Sequence, residues 1–170
     1  MQWIGIRTPR QPFYRVTSGA LELDSGTPLG DLNGVPAFVG RRQHHAVATM
    51  STTMRFTPEK DGDTAGLAAV QSDRSHIVFG ITQVSGRKMI ALMSRDNADT
   101  DTLVASAPQT ATGPVTLTIR ADGGKMAFDY EADGKRATLK SDLDATLLST
   151  RKAGGFVGTV VGPYRYTPAS

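Results

Sequence analysis

Apolar and polar positions alternate along most of this chain, and Gly and Pro separate the alternating runs. In residues 115–120 the apolar side chains fall on every second position, which places them on one side of an extended chain. The turn residues Asp122-Gly123-Gly124 follow, and residues 126–130 then resume the alternation with Met, Phe and Tyr. This arrangement predicts a β-hairpin with one apolar face.

Other runs of the same kind predict further strands. Residues 76–82 and 88–94 flank the turn residues Ser85-Gly86-Arg87 and form a second predicted hairpin. Strands are also predicted at 21–23, 38–43, 46–56, 65–70 and 155–166. About nine or ten strands with turns between them are typical of an all-β sandwich of two antiparallel sheets. A length of 170 residues suits one such domain, spanning residues 1–170.

Helical patterning is weak in this sequence. The leucines of residues 141–149 have a spacing that fits one or two helical turns, and a loop fits them equally well. Residues 24–37 are rich in Gly, Pro and Asp and predict a long loop, a kind of segment that often lies at a functional surface. Residues 96–102 predict an exposed loop rich in aspartate.

Composition narrows the class of partner. The net charge is +3, but the basic residues are scattered as isolated pairs, so we interpret them as a solvated surface and predict no nucleic-acid site. The sequence has no cysteine, which excludes disulfides and thiolate metal sites. No apolar run reaches the ~20 residues needed to cross a bilayer, so no membrane association is predicted. The N-terminus lacks the layout of a signal peptide, and the localisation stays open between cytoplasm and periplasm.

Two sets of polar residues are candidates for chemistry, and each has a plainer structural interpretation. Glu22 and Asp24 are two apart on a predicted strand, so they share a face as paired glycosidase carboxylates would, although exposed strands carry such pairs routinely. His44 and His45 face opposite sides of a strand and would need His76 from another strand to bind a metal. We interpret these histidines as polar strand residues.

Loops rich in aspartate keep one cofactor open. Residues 61–63 and 96–101 offer the oxygen ligands that calcium prefers, although neither has the pattern of an EF-hand loop. Nucleotide-binding loops, serine-nucleophile elbows and zincin motifs do not occur in the sequence. We therefore assign no catalytic residue and no metal ligand, and a structural calcium stays open as the single cofactor.

Aromatic side chains that could stack on a sugar ring are few. Trp3, Tyr14, Tyr164 and Tyr166 are the candidates outside the predicted core strands. The alternative is that these side chains close the ends of the sandwich.

Several segments occur in an order that resembles one family. They are, in chain order, Trp3 to Pro9, Gly19 to Leu23, Phe38 to His44, Met54 to Pro58, Ala65 to Leu67 and Gly155 to Tyr164. Together they resemble the C-terminal, concanavalin A-like jelly-roll domain of β-xylosidases and α-L-arabinofuranosidases in glycoside hydrolase family 43. The resemblance covers nearly the whole chain. It implies that the catalytic acids lie on a separate propeller domain, and that this chain is an accessory domain supporting hydrolysis of xylo- and arabino-oligosaccharides by that partner.

The best-matching segment contains two arginines. Arg41 and Gln43 share one face of a predicted strand, while Arg42 points to the opposite face. At least one guanidinium therefore faces inward or toward a partner surface, where it would bind a carboxylate or a carbonyl group. An interface with the propeller and a salt bridge within the fold are both consistent with this arrangement.

The final strand carries the remaining site residues that the resemblance indicates. Phe156 keeps the first aromatic position of the family's final strand. Val160 stands where a second aromatic is common, and an aliphatic side chain cannot stack on a sugar in the same way. Tyr164 follows on the same strand as a residue for substrate binding or the domain interface.

Two other functions are consistent with the same fold. One is a free-standing, lectin-like module that binds oligosaccharides, and the other is a structural or oligomerisation domain. A sandwich separated from its partner domain would expose an apolar patch, so self-association is also expected.

Overall fold

The computed structural model describes residues 3–31, 33–149 and 158–169. These residues form thirteen strands, which are β1 (Ile4–Gly5), β2 (Tyr14–Thr17), β3 (Ala20–Leu23), β4 (Ala37–Arg42), β5 (Val47–Met54), β6 (Thr64–Ser72), β7 (Ser75–Val84), β8 (Arg87–Asp96), β9 (Thr102–Pro108), β10 (Val115–Asp122), β11 (Lys125–Ala132), β12 (Lys135–Asp144) and β13 (Val160–Tyr166). A short 3₁₀ turn covers Thr146–Leu148. None of the described residues forms a helix that is long and apolar enough to cross a membrane.

Two antiparallel sheets make up the sandwich. The larger sheet has seven strands in the order β1-β4-β13-β6-β7-β8-β9, and the smaller has four in the order β12-β11-β10-β5. Strands β2 and β3 pair with each other as a separate two-stranded hairpin. This arrangement confirms the predicted all-β sandwich of two antiparallel sheets.

The main core lies between the two sheets. Every second residue of β10, from Val115 to Ala121, is buried, as the alternation predicts. Phe79 on β7 and Phe128 on β11 are fully buried and meet edge to face, with ring centroids 5.3 Å apart and an interplanar angle of 72°. This aromatic pair joins the large sheet to the small one at the centre of the core.

Both predicted hairpins are present in the structure. The β10–β11 register pairs Ile119 with Phe128, and the β7–β8 register pairs Phe79 with Leu92. Between β7 and β8 the chain turns at Ser85 and Gly86, whose φ angles are 50° and 74°. Two-residue hairpin turns require positive φ angles of this kind, because the turn must match the twist of the strands.

The other face of the large sheet carries a second, smaller apolar cluster. Phe38, Val78 and Tyr164 are buried there together with Leu29. Leu29 belongs to the segment between β3 and β4, which corresponds to the loop predicted at 24–37 except that residue 37 begins β4 and residue 32 lies outside the described residues. With this cluster on the outer face, β7 is buried on both faces over most of its length.

Strands β4 and β13 approach each other closely at a pair of glycines. A Cβ atom on Gly162 would collide with the carbonyl oxygen of Val39 and the Cα of Gly40. A Cβ atom on Gly40 would collide in turn with the side chains of Phe38 and Val160, so both glycines allow the last strand to pack against β4.

The expectation of nine or ten strands was too low. Strands β1, β2, β9 and β12 were not predicted, because β1 has two residues and the other three are mostly exposed and carry weak apolar alternation. Residues 141–149 are divided between the end of β12 and the 3₁₀ turn. The strand predicted at 155–166 is described from Val160 onward, and residues 155–157 lie outside the described residues.

Candidate functional site

Trp3 and Arg41 meet at one corner of the sandwich. The guanidinium carbon of Arg41 lies 4.2 Å from the centroid of the Trp3 ring. Pairing of Ile4 with Gly40 holds the adjacent Trp3 next to β4. The Trp3 side chain nevertheless remains 53% exposed. A large aromatic ring that a cation–π contact orients, and that solvent still reaches, is well suited to contact another molecule.

Arg42, Gln43 and Val160 adjoin this corner. Arg42 is exposed, and its Cα pairs with that of Val160 on β13. Gln43 is buried, where its backbone N–H donates to the Thr159 carbonyl at 2.8 Å and its side-chain amide donates to the His45 carbonyl at 2.7 Å. The structure therefore brings four of the predicted site residues together. Gln43 fixes the end of β4, while the two arginines are nearer to solvent.

Tyr164 lies four residues further along β13, within the second apolar cluster. Its side chain is buried, and this burial raises the pKa of its phenol above the usual 10.0. A buried ring leaves no face free for stacking on a sugar. Phe156 lies outside the described residues.

A cleft of about 440 Å³ opens on the outer face of the large sheet, beside Tyr164. Most of its lining is apolar, with polar side chains toward its two ends. The lining includes Leu29, Asp61, Thr64, His76, Val78, Thr82, Gln83, Met93, Asp101, Leu103, Tyr164 and Tyr166. A concave, mainly apolar surface of this size is where a ligand would be sought first.

At one end of the cleft, Asp101 is held by two basic side chains. Its Oδ1 lies 3.0 Å from Nε2 of the buried His76 and accepts a hydrogen bond from Nε of Arg95 at 2.8 Å. Burial by itself would raise the pKa of Asp101, but the hydrogen bonds from His76 and Arg95 outweigh it and lower that pKa. Asp101 is therefore an ionised acceptor at neutral pH.

At the other end, Asp61 is held in a similar way. Its Oδ1 accepts hydrogen bonds from the Gly86 backbone N–H at 2.8 Å and from the Gln83 amide at 3.1 Å, and both lower its pKa. Between the two ends, the hydroxyls of Thr64 and Thr82 bond to each other at 2.9 Å. These polar side chains of the cleft already have partners within the chain.

The structure also shows where the other polar candidates lie and which partners they have. Glu22 forms an ion pair with Arg15 on the exposed β2–β3 hairpin. His44 and His45 are exposed, and His76 faces Asp101 instead of joining them. Within the described ranges, no group of three or more His, Asp or Glu is arranged to hold a metal ion.

Sequence reasoning did not foresee the cluster of His76, Asp101 and Arg95, whose members lie on three different elements. One signal was available. His76 and Thr82 stand at even positions of β7, whereas Ile77 and Phe79 stand at odd positions. That pattern indicates polar side chains on the outer face at both ends of the strand, with the apolar Val78 between them, although it does not identify their partners.

The whole chain, residues 1–170, matches the family described as the β-xylosidase C-terminal concanavalin A-like domain. A xylosidase/arabinosidase of Butyrivibrio fibrisolvens is 23% identical over 178 residues, which cover 96% of this chain and 32% of that protein. Both matches agree with the resemblance predicted from the ordered segments.

Solved structures show the same fold. The Bacteroides ovatus xyloglucan-locus protein GH43B superposes with a TM-score of 0.84 and 28% identity, covering 96% of this chain and 32% of that one. A GH43 protein of Bacillus licheniformis superposes with a TM-score of 0.85 and 23% identity, covering 99% of this chain and 34% of that one. The chain thus spans about a third of the length of these relatives, in which the domain is joined to a GH43 catalytic domain.

Proposed function

Because the chain belongs to the family of β-xylosidase C-terminal concanavalin A-like domains, we propose that it is an accessory domain of a glycoside hydrolase. Its task is to pack against a separate family 43 catalytic propeller domain and to support hydrolysis of xylo- or arabino-oligosaccharides there. In this proposal the chemistry resides in the partner domain.

The family match over the whole chain carries the proposal, and the state of the two cleft carboxyls supports it. A glycosidase needs one carboxyl group whose pKa is raised, so that it is protonated and can act as a general acid. The pKa values of Asp61 and Asp101 are instead both lowered by hydrogen bonds from neighbouring residues. The cleft therefore lacks the acid that hydrolysis requires.

The corner formed by Trp3, Arg41 and Arg42 supports the partner role. Trp3 is exposed and stacked on Arg41, and the exposed Arg42 follows at the end of β4. Buried interface centres are enriched in Trp and Arg, so this corner fits a contact with the catalytic domain. We assign Arg41 and Arg42 to that contact, and Gln43 and Val160 to the packing beneath it.

A lectin-like function has less support from the same surfaces. Stacking on a sugar needs an accessible aromatic face. The ring of Tyr164 is buried, and the exposed rings of Trp3 and Tyr14 do not line the cleft. The polar groups of the cleft are hydrogen-bonded within the chain, so few remain to specify hydroxyl positions of an oligosaccharide.

We expect the purified chain to release no nitrophenol from 4-nitrophenyl β-D-xyloside or α-L-arabinofuranoside above the buffer rate, because hydrogen bonds keep the two carboxyls of its cleft ionised. The measurement is absorbance against time, with the complete Butyrivibrio fibrisolvens relative as positive control. Turnover that persists through purification and disappears in Asp101→Asn or Asp61→Asn would contradict the proposal.

A further inference from the structure

The cleft on the outer face of the large sheet has an apolar floor between its two carboxyl groups. Val78 and Met93 pair with each other across β7 and β8, and Ala91 lies on the same face of β8 as Met93. Leu29 and Leu103 also line the cleft. With a volume of about 440 Å³ and a mainly apolar lining, the cleft has the size and character of a small-molecule site.

The carboxylates at the two ends of the cleft differ in the partners that hold them. Asp101 forms an ion pair with the guanidinium of Arg95, so the two charges at that end offset each other. Asp61 is held by the backbone N–H of Gly86 and the side-chain amide of Gln83, which are both neutral groups. These hydrogen bonds fix the position of the Asp61 carboxylate without cancelling its negative charge.

The two threonine hydroxyls at the Asp61 end have already committed their hydrogens. Thr64 donates to the Gly62 carbonyl at 2.9 Å, so the 2.9 Å contact between the two hydroxyls carries the hydrogen of Thr82 toward Thr64. Because a hydroxyl has one hydrogen, the Thr82 oxygen keeps acceptor capacity only. A carboxylate and a hydroxyl oxygen therefore line this end of the cleft as acceptors, and a ligand that binds there has to donate.

The Asp61 end also lies away from the corner at Trp3. Arg41 pairs near the start of β13, whereas Thr64 pairs with the last residue of that strand. The two positions are ~16 Å apart along the strand. A ligand at Asp61 therefore leaves the corner at Trp3 and Arg41 free for the proposed accessory function.

We propose that this cleft binds a small organic cation, with a primary ammonium group at Asp61 and Thr82 and an apolar body along Val78 and Met93. An ammonium group has three hydrogens to donate and no acceptor, which matches an end made of acceptors. Its hydrogen bonds to a carboxylate are stronger than those between neutral groups. An anion is repelled by Asp61, and a neutral alcohol donates one hydrogen without the attraction between opposite charges.

The test uses three probes that share a six-carbon chain and differ in the head group, which are hexylammonium, 1-hexanol and hexanoate. Each probe is titrated into the full chain at pH 7 and followed through the backbone amide signals in two-dimensional NMR. The Gly86 N–H reports on the site, since it donates to Asp61 at 2.8 Å. We expect hexylammonium to shift this signal and to bind about tenfold more tightly than 1-hexanol, with hexanoate the weakest of the three.

Three variants of the chain make the result specific. Asp61→Asn keeps an oxygen that accepts from Gly86 but removes the charge, so it should weaken binding of hexylammonium about tenfold and leave binding of 1-hexanol unchanged. Ala91→Leu places a larger side chain in the cleft and should weaken binding of both probes. Asp122→Asn removes an exposed carboxylate of the small sheet and should bind as the unchanged chain does. Circular dichroism checks that each variant folds, and if Ala91→Leu does not, Asp61→Asn decides.

Four outcomes would overturn the proposal. One is equal binding of hexanoate and hexylammonium, and another is hexylammonium binding that Asp61→Asn leaves unchanged. A third is a set of shifts centred on Asp101 and Arg95, which would place the ammonium group at the wrong end of the cleft. The fourth is the absence of any shift with all three probes. None of these results affects the accessory function, because the corner at Trp3 lies elsewhere.

Discussion

Replacing Phe79 with alanine is expected to lower the free energy of unfolding by about 3–5 kcal/mol. Phe79 is fully buried, and its ring meets the ring of Phe128 from the opposite sheet at 5.3 Å. The substitution removes buried apolar surface and leaves a cavity where the two sheets are joined. Strands on both sides restrict collapse of that cavity, so relaxation should recover little of the loss.

The measurement is urea denaturation followed by far-ultraviolet circular dichroism. Val84→Ala is the matched control, because Val84 lies on the same strand and is 48% exposed, and we expect it to change stability by at most about 0.5 kcal/mol. Should Phe79→Ala prevent folding, Phe79→Leu should still fold with a smaller loss. A loss for Phe79→Ala no larger than that for Val84→Ala would contradict the position of this residue in the core.

The second large effect is an acid-sensitive contribution from Asp129 on β11. Its carboxylate is 3% exposed and accepts hydrogen bonds from Arg120 on β10 at 2.8 Å and from Arg136 and Thr138 on β12 at 3.0 and 2.7 Å. Burial by itself would raise the pKa of Asp129, but these hydrogen bonds outweigh it and lower the pKa from 3.8 to about 2. This difference in pKa corresponds to about 2 kcal/mol of stability at neutral pH.

The direction of the pH dependence follows from the lowered pKa. Between about pH 4 and pH 2 the unfolded chain binds a proton at Asp129 that the folded chain does not, so acid favours unfolding. The contribution of Asp129 is complete above the unfolded pKa and is lost as the pH falls through the folded pKa. We therefore expect Asp129→Asn to be about 2 kcal/mol less stable than the unchanged chain at pH 7, with a difference that shrinks toward pH 2.

Urea denaturation at a series of pH values tests this expectation. Asp122→Asn, on the exposed end of β10, should parallel the unchanged chain throughout. If the deficit of Asp129→Asn stays constant from pH 7 to pH 2, the contribution comes from packing or neutral hydrogen bonds instead of from the charge.

These two sites differ in how far the sequence could predict them. Alternation along residues 115–130 correctly places Phe128 in the core and Asp129 on the outer face, because a strand with one buried side has a period of two. It cannot indicate that Arg120 and Arg136 reach across to Asp129. The contact from Arg120 depends on the register of the β10–β11 hairpin. The contact from Arg136 depends on β12 pairing with β11, and β12 was not predicted because an exposed edge strand needs no apolar pattern.

The candidate site was likewise only partly predictable from the sequence. The ordered segments led to the correct family and to the corner at Arg41 and Arg42. The stacking of Trp3 on Arg41 was not foreseen, since it depends on β1 pairing with β4 across more than thirty residues of chain. The pairing of β2 with β3 was also missed. Leu21 and Leu23 indicated a strand, but the partner strand at Tyr14 lacked enough apolar residues to be recognised.

Trp3 is the single tryptophan of the sequence, and it stands at the corner proposed to contact the catalytic domain. Its indole emission therefore reports on that surface and not on the interior of the sandwich. Docking should move the emission to shorter wavelength without any attached dye, because the ring would pass from water to an apolar environment. Unfolding of the core, by contrast, would change the indole emission only indirectly, through β4, the strand that holds β1 in place. The chain thus carries an intrinsic fluorophore that distinguishes assembly from unfolding.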